Sequence, residues 1–239
     1  KCNLVQFKSL PPLNDMYGET YGYRTSLSKL MILHMKKKYE KIKKNFKKNS
    51  SILDIGSNDG TFLNFFAKNG YHNLYGIDPS SLKFKKYYNK KINLITDYFS
   101  KKKIEENLND KKKKFDLITS FAMFYDIEDP NRFCKDIKNL LSKDGKWILE
   151  LSYFPLLLKN LTYDQICHEH VTYYTLSTFE KIANKNSLRI LDFSFNEING
   201  GSIEIICSKK SSKNKSQLKN IQNIKKIEQL INFEQYKKF

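Results

Sequence analysis

Leu53-Asp54-Ile55-Gly56-Ser57-Asn58-Asp59-Gly60-Thr61 is the stretch from which the fold is read. An apolar run ends at two glycines four positions apart, and a helical pattern over residues 62–69, closed by Gly70, follows at once. That order describes a strand turning into a helix through a loop whose backbone a ligand can approach closely. Asn58 stands where a third glycine would often be, and asparagine is one of the few side chains tolerated at positive φ. Outward from this loop, strands are expected at residues 51–55, 74–77, 92–95, 115–119 and 146–151, with helices over 81–89 and 130–142. Strands alternating with helices at this spacing predict an α/β fold with a doubly wound, mostly parallel sheet.

Before the sheet, Pro11, Pro12 and the tyrosines Tyr17, Tyr21 and Tyr23 read as an irregular lead-in. Ser26 is a plausible N-cap for a basic helix with an apolar stripe at Leu27, Leu30, Met31, His34 and Tyr39 to Ile42, ending near Lys48. After the sheet comes an aromatic and His-rich stretch at 163–174, then a helix over 177–186. Strands at 188–193 and 203–207 follow, joined by a turn at Asn199, Gly200 and Gly201. Residues 208–216 form a Lys and Ser linker, and Leu218, Ile221, Ile224, Ile227 and Ile231 make a helical stripe that must pack on something. The expected organisation is a lead-in over 1–48, a ligand-binding domain over 49–207 and a basic linker and helix over 208–239.

The 239 residues carry 43 Lys and Arg against 25 Asp and Glu, a net charge of +18, yet 40% are hydrophobic, enough for a real core. Lysine runs at 36–38, 43–48, 101–103 and 111–114 account for the excess, and arginine is scarce. Base readout and bidentate phosphate recognition favour arginine, so the runs are expected to be solvated surface and no specific nucleic-acid partner is expected. No apolar run is long enough for a membrane span. Cys2, Cys134, Cys167 and Cys207 form no C-x-x-C pair, so no metal site is expected within the chain, and a reducing cytoplasm suits them. The chain opens at Lys1 rather than Met and has no apolar signal segment, which predicts a piece of a longer product. Oligomeric state is not legible.

The loop is not a dinucleotide fingerprint, because G-x-G-x-x-G is absent. Asp78, followed by Pro79 at the end of the second strand, is placed to accept hydrogen bonds from both hydroxyls of a ribose. Asp54 and Asp59 disfavour a pyrophosphate and suit a ligand carrying an ammonium and a sulfonium. S-adenosylmethionine is therefore the expected cofactor, held around Asp54, Gly56, Asn58, Gly60, Asp78 and Pro79. Asp97 and Tyr98, after the third strand, stand where its adenine is usually held, or form a plain helix cap. Ser120 and Phe121, after the fourth, would wall its methionine end. An ordinary tight turn is the competing reading of the Gly loop alone.

Taken together, residues 55–63, Gly76-Ile77-Asp78-Pro79-Ser80, Asp97-Tyr98-Phe99, Tyr163-Asp164-Gln165-Ile166-Cys167-His168-Glu169-His170 and Gly200-Gly201-Ser202 resemble the S-adenosylmethionine-dependent C-methyltransferases of nucleotide-linked 4-keto-deoxysugars. The resemblance runs from about Cys2 to the C-terminus and implies a Rossmann-like class I methyltransferase core. It also implies a Cys-rich zinc module before the chain, of which Cys2 is the last cysteine, and a further domain after Phe239.

By this resemblance His170 is the base that removes a proton beside the keto group, Glu169 orients or polarises the site and His168 lies beside them. A C–H carbon has no lone pair, so a base must first make an enolate, and a near-neutral His suits that task. The family usually has tyrosine immediately before His-Glu-His, where this chain has Cys167, a weak hydrogen-bond donor, so Tyr163, Tyr173 or Tyr174 would have to substitute. Residues 21–26 resemble the family segment that covers the active site, and Asn199 to Ser202 are candidates for the sugar pocket. The competing readings are an O- or N-methyltransferase on a small molecule, a basic nucleic-acid-binding protein or RNA methyltransferase, and an inactive cofactor-binding fragment.

Overall fold

The structure, a computed structural model, describes residues 4–10, 12, 16–17, 21–218, 221–229 and 231. Cys2 and Phe239 lie outside these residues. The chain divides into two compact units, one of Pro12–Ser120 with Asn139–Gly145, the other of Lys1–Pro11, Phe121–Lys138 and Lys146–Phe239.

The first unit opens with helix α1 (Lys29–Ile42), whose N-cap is Ser28: its hydroxyl accepts from Met31 N at 3.3 Å. The expected cap, Ser26, instead lies in a 3-10 turn over Thr25–Leu27, because its amide is drawn to Asp59. α1 buries Met35, Tyr39 and Ile42, whereas Leu27, Leu30 and Leu33 stay exposed, so only the later part of the expected apolar stripe faces a core. Strand β1 (Ile52–Ile55) leads through the Gly loop into α2 (Thr61–Lys68). Strand β2 (Leu74–Ile77) and the short helix α3 (Ser81–Phe84) follow, then β3 (Ile92–Ile95), α4 (Lys101–Asn107) and β4 (Phe115–Phe121). The pairings β2 with β3, β1 with β2 and β1 with β4 are all parallel, with Leu53 opposite Tyr75 and Ile118. β1 is therefore central, and all four of its residues are buried, as a strand covered on both faces requires.

Two elements differ from expectation. The helix expected over 81–89 stops at Phe84 and gives way to a 3-10 turn at Lys85–Tyr87. A helix that was not expected, α4, forms in the lysine run: Ser100 caps it, and Lys101 and Lys102 pair with Glu105 and Glu106 one turn on.

Next along the chain, α5 (Pro130–Leu140) runs directly into β5 (Leu141–Ser152), which begins five residues before the expected strand; their junction, Asn139–Gly145, belongs to the first unit and the rest of both to the second. Next come α6 (Phe154–Asn160), unexpected, and α7 (Leu176–Lys185) with a Thr175 and Thr178 capping box. β6 (Leu188–Asn196) and β7 (Ser202–Lys209) pair antiparallel, and β7 pairs antiparallel with β5, Trp147 opposite Cys207. Residues 5–6 add a short antiparallel pairing to Thr172–Tyr173. The core here is aromatic: Phe124 lies 5.6 Å from Trp147, 5.5 Å from Phe179 and 5.2 Å from Tyr174, centroid to centroid. The last helix, α8 (Ile221–Gln229), buries Glu228; of the expected isoleucine stripe Ile221 and Ile224 are half-buried and Ile227 is exposed.

Candidate functional site

The candidate site residues fall mainly in two clusters, one in each unit. In the first, β1 ends at Ile55 and the chain turns through Gly56, Asn58 and Gly60 at φ of 70°, 49° and 73°. Left-handed backbone is what the two glycines and the asparagine permit. Gly60 is needed for a second reason: a Cβ there would stand 2.7 Å from the Tyr88 ring. Tyr88 locks the loop, its hydroxyl donating to Asn58 O at 2.8 Å and lying 2.8 Å from Ser57 Oγ. Nothing in the sequence marked this tyrosine, because it sits within a Lys and Tyr run that reads as surface.

Asp78, at the end of β2, is buried and already engaged. Its Oδ1 accepts from Ser80 N (2.7 Å) and Ser80 Oγ (2.6 Å), and its Oδ2 accepts from Asn58 N at 2.9 Å. A carboxylate offers about four acceptor positions, so one is left. That suffices for one ribose hydroxyl; accepting from both, as expected, requires the Ser80 hydroxyl to turn away. Asp54 lies within β1 and takes a 2.6 Å hydrogen bond from Thr119 Oγ1. Burial, with the nearby charge of Asp78, pushes its carboxyl up to about 7, although the Thr119 bond opposes the shift. Burial raises Asp78 also, against the bonds from Ser80 and Asn58 and aided by Asp59. Asp59 accepts from Thr61 N and Oγ1 and from Ser26 N.

Among the described residues no Lys or Arg pairs with Asp54, Asp59 or Asp78, so the loop is a cluster of acids whose charge a cation would relieve. A ligand bearing a sulfonium and an ammonium fits that donor set. Ser120, opposite Ile55 in β4, is fully buried beside it in register, and Pro79 follows Asp78 directly. Asp97 is turned to other work: Oδ1 accepts from Tyr98 N and Oδ2 pairs with Lys103 at 2.8 Å. Phe121 belongs to the second unit.

In the second unit, residues 167–170 make a turn closed by His170 N to Cys167 O at 3.1 Å. His168 is exposed, whereas Glu169 and His170 are half-buried. His170 Nδ1 lies 2.9 Å from Gln165 O. A carbonyl can only accept, so Nδ1 carries the proton, and in the neutral ring Nε2 keeps the basic lone pair. Burial lowers the pKa of His170, against the Gln165 bond and the charges of Glu169 and Asp164, so the ring is mostly neutral at pH 7. Tyr125 packs 4.3 Å from His170, ring to ring, a contact the sequence did not suggest. Gln165 O also accepts from Tyr173 OH (3.3 Å), and its side chain accepts from Ser152 Oγ (3.3 Å). Of the tyrosines considered as substitutes at position 167, Tyr173 spends its proton on Gln165, Tyr163 is exposed and Tyr174 is fully buried. The turn at 198–201 packs on the end of α6: Gly200 O accepts from Asn160 Nδ2 at 2.8 Å, and a Cβ on Gly200 would meet the Thr162 side chain at 2.1 Å.

Residues 28–192 match a family described as a methyltransferase domain. Two curated proteins are similar in sequence. "C-methyltransferase NovU" of Streptomyces niveus is 24% identical over 210 residues, 87% of this chain and 49% of that protein. "tRNA U34 carboxymethyltransferase" of Campylobacter hominis is 27% identical over 144 residues, 56% of this chain and 47% of that protein. The chain thus spans about half the length of the curated relatives it matches. Among solved structures, the plantazolicin methyltransferase BpumL, in complex with a pentazolic desmethylPZN analog and SAH, aligns at TM-score 0.55 and 16% identity over 74% of this chain and 83% of that one.

Proposed function

The chain belongs to the methyltransferase-domain family, matched over residues 28–192, and from that premise we propose that it methylates a carbon next to a keto group in a nucleotide-linked deoxysugar, with His170 as the base. Its cofactor, S-adenosylmethionine, supplies an electrophilic methyl group on a sulfonium. Asp54, Asp59 and Asp78 would balance the positive charge, Asp78 would accept from the ribose, and Gly56, Asn58 and Gly60 let the backbone come close. Asp97, Tyr98, Ser120 and Phe121 are the remaining candidates for the adenine and methionine ends.

The observation that carries the carbon reading is the fixed tautomer of His170. Because Gln165 O holds the Nδ1 proton, the Nε2 lone pair is left to take a proton from a carbon acid, and the pair of the broken C–H bond delocalises onto the neighbouring carbonyl as an enolate. Methyl transfer to an oxygen or nitrogen would need no base for a carbon acid. Glu169, whose charge acts on His170, favours the imidazolium that forms. The named C-methyltransferase relative supports the same reading. A nucleic-acid substrate has in its favour the tRNA-modifying relative and the +18 charge.

The test is His170→Ala, assayed on a nucleotide-linked keto sugar. Turnover should fall about 10²- to 10⁴-fold, the usual contribution of a general base, while cofactor affinity stays at the parental value. Parental turnover in the variant, or methylation of tRNA in place of the sugar, would refute the proposal.

A further inference from the structure

The His170 ring is gripped from two directions. Its Nδ1 meets Gln165 O at 2.9 Å, and the Tyr125 ring lies against it with centroids 4.3 Å apart and planes at 56°. The hydrogen bond sets the tautomer but leaves the imidazole free to rock about that one contact. The second contact removes the freedom. Tyr125 is only 5% exposed and is presented by a tightly built turn. β4 ends at Phe121, and Ala122 then turns the chain at φ 52°, a left-handed backbone that a residue with a Cβ adopts only at a cost. Ala122 N donates to Glu150 O of β5 at 2.9 Å, and Asp126 N closes the 3-10 turn on Met123 O at 3.1 Å. Between them Phe124 is fully buried among Trp147, Tyr174 and Phe179, so its neighbour Tyr125 stands on backbone anchored in the aromatic core. Strain kept in a turn of this kind is a reason to ask what the turn positions.

We propose that Tyr125 is the positioning residue of the base: its ring is the wall that holds the His170 imidazole where Nδ1 meets Gln165 O, leaves Nε2 as the basic nitrogen and keeps water off the ring. A neutral imidazole packs on an aromatic ring as apolar surface does, and the burial that results is what favours the neutral form. The charges that act on His170 come from Glu169 and Asp164, on its own segment. Asp126, beside Tyr125 in the turn, acts instead on Cys167, Tyr173 and Tyr174. Replacing Tyr125 therefore changes the packing and the water around His170 and alters no charge there.

The inference rests on the reading of His170 as the base, and two variants let the two fail separately. Tyr125→Leu keeps much of the apolar volume but loses the flat ring; Tyr125→Phe keeps the ring and loses the hydroxyl. Long-range proton–nitrogen spectra of the 15N-labelled chain read the tautomer and the pKa of His170 with no substrate present, its signals being those absent from His170→Ala. Parent and Tyr125→Phe should hold the Nδ1–H tautomer alone. Tyr125→Leu should show both tautomers and a pKa that moves up toward about 6.5, the ordinary value of histidine, because water then reaches the ring. On a nucleotide-linked keto sugar, kcat of Tyr125→Leu should fall about 10- to 100-fold, the penalty of a misplaced group, with KM within about two-fold of the parent. The acid limb of its pH–rate profile should move to higher pH, and Tyr125→Phe should stay within about three-fold of the parental rate. A parental tautomer and pKa in Tyr125→Leu would overturn the positioning role. A Tyr125→Phe enzyme as slow as Tyr125→Leu would also overturn it, since the hydroxyl would then be the working group. Mixed tautomers in Tyr125→Phe would do the same, an arm that decides even where Tyr125→Leu does not fold. Parental turnover in His170→Ala, with the tautomers still mixed in Tyr125→Leu, would overturn the base assignment and with it the part of Tyr125 in the reaction.

Discussion

Asp54 shows how the surroundings of one residue set its charge. It is buried in a strand with only Thr119 to hydrogen-bond it, and burial raises its carboxyl to about 7. Asp78 is raised in the same direction. Below about 7 Asp54 carries a proton and the loop loses negative charge; above it Asp54 is ionised and the loop is more anionic. A cationic ligand gains from the anionic form, so S-adenosylmethionine should bind several-fold more tightly as pH rises through about 7, with protons released on binding. S-adenosylhomocysteine, which lacks the sulfonium, should show a shallower rise. Calorimetry in two buffers of different ionisation heat measures both affinity and proton release; affinity that is flat or falls with pH would show that the acids do not face the cofactor.

At the scale of elements, Glu228 explains how α8 is held. Its carboxylate accepts from Tyr153 OH at 2.6 Å, Leu176 N at 2.7 Å and Ser177 N at 2.9 Å, and so closes the N-terminus of α7 from another helix. Lys225 pairs with Glu180 on the same two helices. Anions are favoured at that end of a helix. Glu228→Ala leaves two buried amide donors and a phenol without acceptors and should cost about 2–4 kcal/mol in denaturant unfolding; Tyr153→Phe should cost about 1 kcal/mol, since it removes one of three donors. Equal stability of Glu228→Ala and the parent would mean that the cap contributes nothing. The sequence could not reveal this. Helical periodicity in α8 pointed to its isoleucines, but Ile227 is 58% exposed while a charged residue fills the packed position, because tertiary hydrogen bonding overrides hydropathy there. Strands were legible for the opposite reason: β2 and β3 are short apolar runs bounded by turn residues, and their expected ends match. α4 was missed because its stability comes from a Ser100 cap and spaced Lys and Glu pairs, which a lysine run conceals.

For the whole molecule, the candidate groups fall in two units: an acidic loop at the end of β1, and a histidine whose ring proton faces Gln165 O. The loop was readable because only glycine and asparagine suit its three positive φ values, and the His-Glu-His turn because its residue types stand out in an aromatic stretch. What the sequence concealed were the partners that come from afar, Thr119, Tyr88 and Tyr125, whose roles depend on contacts rather than on spacing. The central claim is that His170 makes a carbon nucleophile. Its most direct measurement is proton NMR of a nucleotide-linked keto sugar incubated with the enzyme in deuterium oxide without cofactor. Deuterium should wash into the carbon beside the keto group with the parent enzyme and fail to do so with His170→Ala; wash-in that continues undiminished in the variant would contradict the account.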